Sequence, residues 1–479
     1  MAARTICLGR KKGRNIAMDD STISEEIFEQ LSDPRAPLIA TPPPGPKSQE
    51  YLEYQRRHES SAVSYPRGLP MAMRRGRGAT VEDVDGNVYI DFFGGAGVLN
   101  VGHGNPEVLE AARLQMADLT HTLDIPSQAR RALVEILRSV LPAELSRLFF
   151  GGPTGSDAVE IAVKLAKYNT RRIPLIAFEG SYHGMTTGAL SLTSGEAYRA
   201  DFLPLLPEVH FLPYAYCYRC AFNKSPESCD LFCAAYLDHK LGDPHSGISK
   251  PAAVIVEAVQ GEGGTIVPPD GYLSALRRIC DRYGVLLIVD EIQAGFCRTG
   301  RMFAFEHSGA LPDIITMSKA LGGLGFPISG IAYRENLNTL PPGKHIGTFR
   351  GNMVAYAAGA ASIRFMVDYG LAGRAEQLGR TMLKILKGVE RDSPIVGEAR
   401  GKGLMFGIEI VKDKGSREPA PELAAKLRTA CHRHGLLMEV GGHYSNVARF
   451  LPPLVLTERL ARKGLEIFAE AVRAIEKSV

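Results

Sequence analysis

Short apolar runs recur between residues 175 and 333. They are LIAF (175–178), AAVIVEAV (252–259), VLLIVDE (285–291), IITMS (314–318) and ISGIAY (328–333). Each is too short for a typical helix and rich in β-branched residues, so each reads as a strand buried on both faces. Between and before them the period changes. RALVEILRSVL (131–141) places Leu133, Ile136, Leu137 and Val140 at helical spacing. SDAVEIAVKLAKY (156–168) opens on Ser156 as an N-cap, with Asp157 in the first turn. This alternation predicts an α/β fold whose central sheet is mostly parallel and covered by helices.

The pattern differs toward the ends. LMFGIEIV (404–411) and LLMEVGG (436–442) read as strands, and 458–477 as a helix with Leu465, Phe468, Val472 and Ile475 on one face. VEDVDGNVYIDF (81–92) reads as a hairpin around an Asp-Gly turn. A smaller α+β domain built from both chain ends is expected. Residues 1–46 show weak periodicity and end in PLIATPPPGPK, so they are expected to form a flexible Pro-rich tail. The expected division is that tail, a small-domain segment at 47–110, a large domain at 111–350, and the rest of the small domain at 351–479.

Composition narrows the function. Across 479 residues, 56 basic and 52 acidic side chains leave a net charge of +4, too balanced for a nucleic-acid partner. No apolar run approaches the roughly 18 residues of a membrane span. The first twenty residues lack the apolar stretch of a secretory signal. A cytoplasmic protein without a membrane partner is expected.

Candidate chemistry gathers where predicted strands end, the place where open α/β sheets bind ligands. Asp290 closes VLLIVD, where an unpaired carboxylate is costly. Capping or ion pairing is the ordinary explanation. Lys319 follows IITMS and precedes two glycines. It reads either as a snorkelling amine or as an imine-forming lysine. An aspartate and a lysine at adjacent strand ends suit pyridoxal 5'-phosphate, which needs a Schiff-base lysine and an acidic partner for its pyridinium nitrogen. Gly155 and Ser156, at a predicted helix start, offer N–H groups to a phosphate. Tyr182 and His183 follow the strand LIAF and offer a ring face.

Taken together, GPTGSDAVEIAVKLA, FEGSYHGMTTGALSLT, IVEAVQGEGG, IVDEIQAGFCRTG, MSKALGG and HIGTFRGN resemble the class III (ω-amino acid type) pyridoxal-phosphate aminotransferases of fold type I, in the family's order. The resemblance runs from about residue 50 to the C-terminus. It implies catalytic roles for Lys319, which would hold the cofactor and shuttle a proton, and for Asp290, which would pair with the ring nitrogen. Gln293 would lie near the ring's 3-oxygen, Tyr182 would stack on the ring with His183 beside it, and Gly155 and Ser156 would hold the phosphate. Thr348 would reach the cofactor of a neighbouring subunit, which implies a homodimer with shared active sites. Glu262 and Arg449 would form a switch pair. The pair is closed with an ω-amine donor bound and opens for the second carboxylate of glutamate or 2-oxoglutarate. Ala258, Cys297 and Met353 depart from the family's usual proline, glycine and proline.

A second cluster is Cys217, Cys220, Cys229 and Cys233, in an insertion between strands. Four thiols in one loop could bind zinc, remain reduced or pair as disulfides. No metal is assigned to the catalytic site. A cysteine-bearing loop after PY is reminiscent of diaminobutyrate aminotransferases. The expected activity is transfer of an amino group from an ω-amino or diamino acid, with 2,4-diaminobutyrate as the leading donor, to a 2-oxo acid such as 2-oxoglutarate. A racemase, epimerase or aminomutase of the same fold is the alternative, and a non-catalytic relative the third reading.

Overall fold

The computed structural model describes residues 20–477. Its centre is a seven-stranded sheet in the order Arg147–Phe150, Gly330–Tyr333, Ile314–Met317, Leu286–Asp290, Ala253–Glu257, Leu175–Phe178, Val209–Leu212. Only Gly330–Tyr333 runs antiparallel to its neighbours. The five apolar runs supply its five central strands. The two edge strands, Arg147–Phe150 and Val209–Leu212, are partly exposed and carry a weaker apolar signal. Helices cover both faces. Gly155–Thr170 buries Val159, Ile161, Ala162 and Leu165, and Tyr272–Tyr283 buries Leu273, Leu276 and Ile279. The α/β, mostly parallel architecture is the expected one.

Two smaller sheets adjoin it. Val396–Lys402, Met405–Ile410, Val447–Phe450 and Glu439–Gly441 form one, in that order. The other joins the hairpin Thr80–Asp83/Val88–Asp91 to Met73–Arg77 on one side and Leu436–Leu437 on the other. Leu436 pairs with Ile90 in parallel register, so the two ends of the chain share a sheet. Helix Glu458–Glu476 lays Leu465, Phe468, Val472 and Ile475 against the core. Helix Met353–Asp368 packs between Pro106–Asp118 and Gln128–Val140.

The expected tail needs correction where it is described. Residues Asp20–Leu31 form a helix, and Phe28 is fully buried. Its ring meets Phe365 and Tyr369 at 6.4 and 6.2 Å, and the Arg374 guanidinium lies 4.6 Å above it. Leu38 then exchanges two main-chain hydrogen bonds with Val88. Ile27, Phe28 and Leu31 form one apolar stripe, which the proline run beside it obscures in the sequence. Residues 1–19 lie outside the described range. Among the described residues, no helix is long and apolar enough to cross a membrane.

Candidate active site

The strands Ala253–Glu257 and Leu286–Asp290 run side by side, with Glu257 in register with Asp290. Ile314–Met317 lies next to them and delivers Thr316 and, just beyond its end, Lys319. A cavity of about 520 Å³ opens over these strand ends. Every predicted site residue except Thr348 and Arg449 lines it.

Asp290 is buried and fully engaged on one oxygen. Oδ1 accepts from the Thr316 hydroxyl at 2.8 Å and from the Ile292 N–H at 3.0 Å. Oδ2 faces Nδ1 of buried His183 at 2.7 Å. A ring nitrogen facing a carboxylate is the donor, and His183 Nε2 has no partner among the described residues. Sequence reasoning missed Glu257, which completes this layer. Its carboxylate accepts from the Tyr182 N–H at 3.0 Å and the Gly261 N–H at 2.8 Å. It thereby ties the Tyr182 loop to the Gly261–Glu262 loop. Burial pushes Glu257 up to about 7, with His183 pulling down and Asp290 pushing up. The strand-end rule that singles out Asp290 applies equally to Glu257.

Lys319 has φ +47°, a left-handed backbone that L residues rarely adopt. Its Nζ donates to the Ala96 carbonyl at 2.9 Å. Gln293 Nε2 donates to the same carbonyl at 3.3 Å. Burial lowers the Lys319 amine below the usual lysine range, against the pull of Glu262. A lowered amine is a better nucleophile at neutral pH. Gln293 also reaches Glu262 Oε1 at 3.4 Å. A Cβ at Gly261 would fall 1.8 Å from Gln293 Oε1, so a larger residue there would displace the Gln293 amide.

At the other end of the cavity, helix Gly155–Thr170 presents its N-terminus. The Thr154 N–H and hydroxyl donate to Asp157 Oδ2 at 2.9 and 2.8 Å, which closes the cap. The N–H groups of Gly155 and Ser156 have no intrahelical acceptor, as at any helix start. A Cβ at Gly184 would lie 2.1 Å from Ser156 Oγ, so that loop closes tightly over the helix end.

Behind the cavity, Arg449 Nη2 meets Glu262 Oε2 at 2.9 Å. Arg449 is 4% exposed, and its Nε and Nη1 have no acceptor among the described residues. Thr348 sits away from the cavity, on an exposed stretch where Ile346 and Phe349 are each 71% exposed.

The donor set suits one group in particular. A free helix N-terminus awaits an anion, a carboxylate pair stands ready for a cation, and a depressed lysine lines the same cavity. A sequence model of the family described as aminotransferase class-III matches residues 61–472. The chain belongs to the class III aminotransferases. This aminotransferase is 42% identical over 433 residues to a diaminobutyrate–2-oxoglutarate aminotransferase of Haemophilus influenzae, covering 89% of this chain and 95% of that one. It is 34% identical to an alanine/serine racemase of Pyrococcus horikoshii, covering 91% and 93%. A PLP-bound amine transaminase from an uncultivated Pseudomonas species superposes with a TM-score of 0.80 at 29% identity, covering 87% and 97%. The enzyme is a fold type I transaminase and its cofactor is pyridoxal phosphate.

Two sequence features lie outside the site. Glu291 is fully buried and accepts from the N–H groups of Ala304 and Phe305, both at 2.8 Å. It holds the turn that follows. Cys217, Cys220, Cys229 and Cys233 surround a cavity of about 20 Å³ as free thiols. Among the described residues, no group of three or more His, Cys, Asp or Glu is placed to hold a metal ion.

Proposed function

We propose that the enzyme transfers the ω-amino group of a diamino acid, 2,4-diaminobutyrate foremost, to 2-oxoglutarate. The observation that carries this reading is the Arg449–Glu262 pair beside Lys319. A buried guanidinium with two unused donors is poised for a second carboxylate, and a guanidinium fork binds carboxylate bidentately. When Glu262 occupies Arg449, the site presents no free cation to the donor. When Glu262 turns away, 2-oxoglutarate can take its place. The diaminobutyrate aminotransferase relative supports the same donor and acceptor.

Pyridoxal phosphate, when bound, supplies the electron sink that lets a C–H bond beside nitrogen break. The chain's residues do the rest. Gly155 and Ser156 would hold the phosphate. Asp290 would hold the proton on the ring nitrogen, oriented by His183 and Thr316. Tyr182 would cover one ring face, kept in place through Glu257. Gln293 would fix the ring's oxygen side. Lys319 would hold the cofactor, then carry the proton as a base whose basicity burial has lowered. The exposed Ile346–Phe349 stretch supports a homodimer in which the partner supplies Thr348 to the phosphate. The free thiols fit a reducing, cytoplasmic setting.

A donor panel with 2-oxoglutarate tests the reading. Glutamate should form from 2,4-diaminobutyrate and not from an α-amino acid that lacks an ω-amine. Deuterium entering the α-carbon from solvent, without glutamate, would instead establish a racemase. Lys319→Ala should lose the cofactor's visible absorbance band and about 10⁴-fold in turnover. Retained turnover would remove Lys319 from the chemistry.

A further inference from the structure

Beyond Tyr182 and Glu262 the reaction cavity adjoins a second one of about 600 Å³. Both residues line both cavities. Glu179, Glu196 and Glu262 stand in the walls of the second cavity, with no lysine or arginine among its described lining residues. Burial lowers His443, the one imidazole there, below its usual range. This vestibule therefore favours a cation. Tyr198, also in its wall, packs edge-on against Tyr182 with ring centroids 5.4 Å apart.

The strand Glu439–Gly441 borders the vestibule through Val440 and Gly441. It pairs antiparallel with Val447–Phe450, and Glu439 lies directly opposite Arg449. Residues opposite each other in such a pair point to the same face. Glu439 is therefore a second carboxylate beside the switch arginine, after Glu262. Gly441 leaves the room for that arrangement, since a Cβ there would lie 2.7 Å from Arg449 Nε. Partial burial, then the charges of Glu262 and Glu439 among others, raise the hydroxyls of Tyr65 and Tyr198. Both carboxylates thus act on the same two rings.

Glu439 is only loosely committed elsewhere. Oε1 accepts from its own Val440 N–H at 3.0 Å and from Arg428 Nη1 at a long 3.4 Å. Oε2 accepts no hydrogen bond among the described residues. Arg428 is its ion-pair partner only at that 3.4 Å distance, and Arg449, opposite it in the sheet, is already neutralised by Glu262 at 2.9 Å.

We propose that Glu439 is the specificity-determining residue that takes the α-ammonium of an α,ω-diamino acid while the ω-amine reaches Lys319. This deepens the proposed function and rests on it. A donor with the same chain and no α-amino group, 4-aminobutyrate, has nothing to offer Glu439. The residue therefore separates two donors that differ by one ammonium. Tyr198, in the vestibule wall, offers that ammonium a ring face and a hydroxyl.

The test compares wild type and Glu439→Gln as holoenzymes. The substitution keeps the shape and an acceptor for the Val440 N–H, and removes the charge. Glutamate formation gives kcat/KM for 2,4-diaminobutyrate and for 4-aminobutyrate. Where 4-aminobutyrate is bound without turnover, its inhibition constant against 2,4-diaminobutyrate serves instead. The preference for the diamino acid should fall by about 10- to 100-fold, because a site built for a polar group rejects the analogue lacking it. An unchanged preference, or equal losses for both donors, overturns the role of Glu439 and leaves the transaminase reading intact. Wild-type enzyme that makes no glutamate from 2,4-diaminobutyrate overturns the donor assignment and this role with it.

Discussion

Two buried arginine–glutamate pairs stand near the C-terminal four-stranded sheet, and they differ in how completely they are satisfied. Arg400 bonds Glu409 at 2.8 Å and Glu398 at 2.7 Å through Nη1. Its Nη2 reaches the Gly264 carbonyl at 2.7 Å and the Tyr216 hydroxyl at 3.2 Å, and its Nε the Thr265 carbonyl at 3.0 Å. Glu409 in turn receives Tyr216, Arg219 and Asn446. Among the described residues Arg449 has Glu262 alone, with two donors idle. The two arginines are about equally hidden, at 8% and 4% exposure. Burial therefore does not separate them; saturation does. A buried charge with every donor used is fixed in place, whereas one with idle donors is held ready for something else.

The largest expected effect falls on the saturated pair. Arg400→Met strands Glu409 in the interior with fewer partners, and should destabilise the enzyme by about 3–5 kcal/mol. Urea unfolding reads that loss directly. The variant's relative preference among acceptors should stay where it was. A shift in acceptor preference larger than the loss of stability would erase the distinction between the pairs.

Arg449→Ala should do the reverse. It removes a cation with few partners, so unfolding should shift less than for Arg400→Met. Turnover with 2-oxoglutarate should fall by about 100-fold in kcat/KM, roughly 2.7 kcal/mol of transition-state stabilisation. Turnover with pyruvate, which has no second carboxylate, should fall far less. Equal losses with the two acceptors would make Arg449 a second structural arginine.

The sequence carried the difference between these pairs unevenly. The central sheet was legible because strands buried on both faces leave continuous apolar runs, and Asp290 and Lys319 were legible because charge at the end of such a run is costly. The edge strands were not, since half-exposed strands mix polar and apolar residues. The helix holding Phe28 was masked by the prolines that follow it. Arg449 stood out only through resemblance. Arg400 sits in GEARGKG, where nothing local marks it as buried, because Thr265 and Tyr216 come from distant segments and Glu409 from the next strand. Glu257 was hidden differently: its strand was plain, but its role depends on two main-chain donors, Tyr182 and Gly261, that no side-chain pattern reports.

Acid titration sharpens the comparison with the smallest expected effect. Burial pushes the Glu262 carboxyl up, but Arg449 and then Lys319 outweigh it and hold it at about 2, below its ordinary 4.5. A depressed folded-state pKa means the unfolded chain binds the proton first. Stability from Glu262 is therefore fully present above about pH 4.5 and is lost as pH falls toward 2. The difference in urea midpoint between wild type and Glu262→Gln should stay constant from pH 8 to 5 and shrink only below that. Acceptor preference should likewise show no Glu262-dependent step across the neutral range, so that 2-oxoglutarate, rather than a proton, opens the pair. A midpoint difference that closes between pH 8 and 5 would mean that Arg449 does not hold Glu262 as an ion pair, and the switch would lose its closed state.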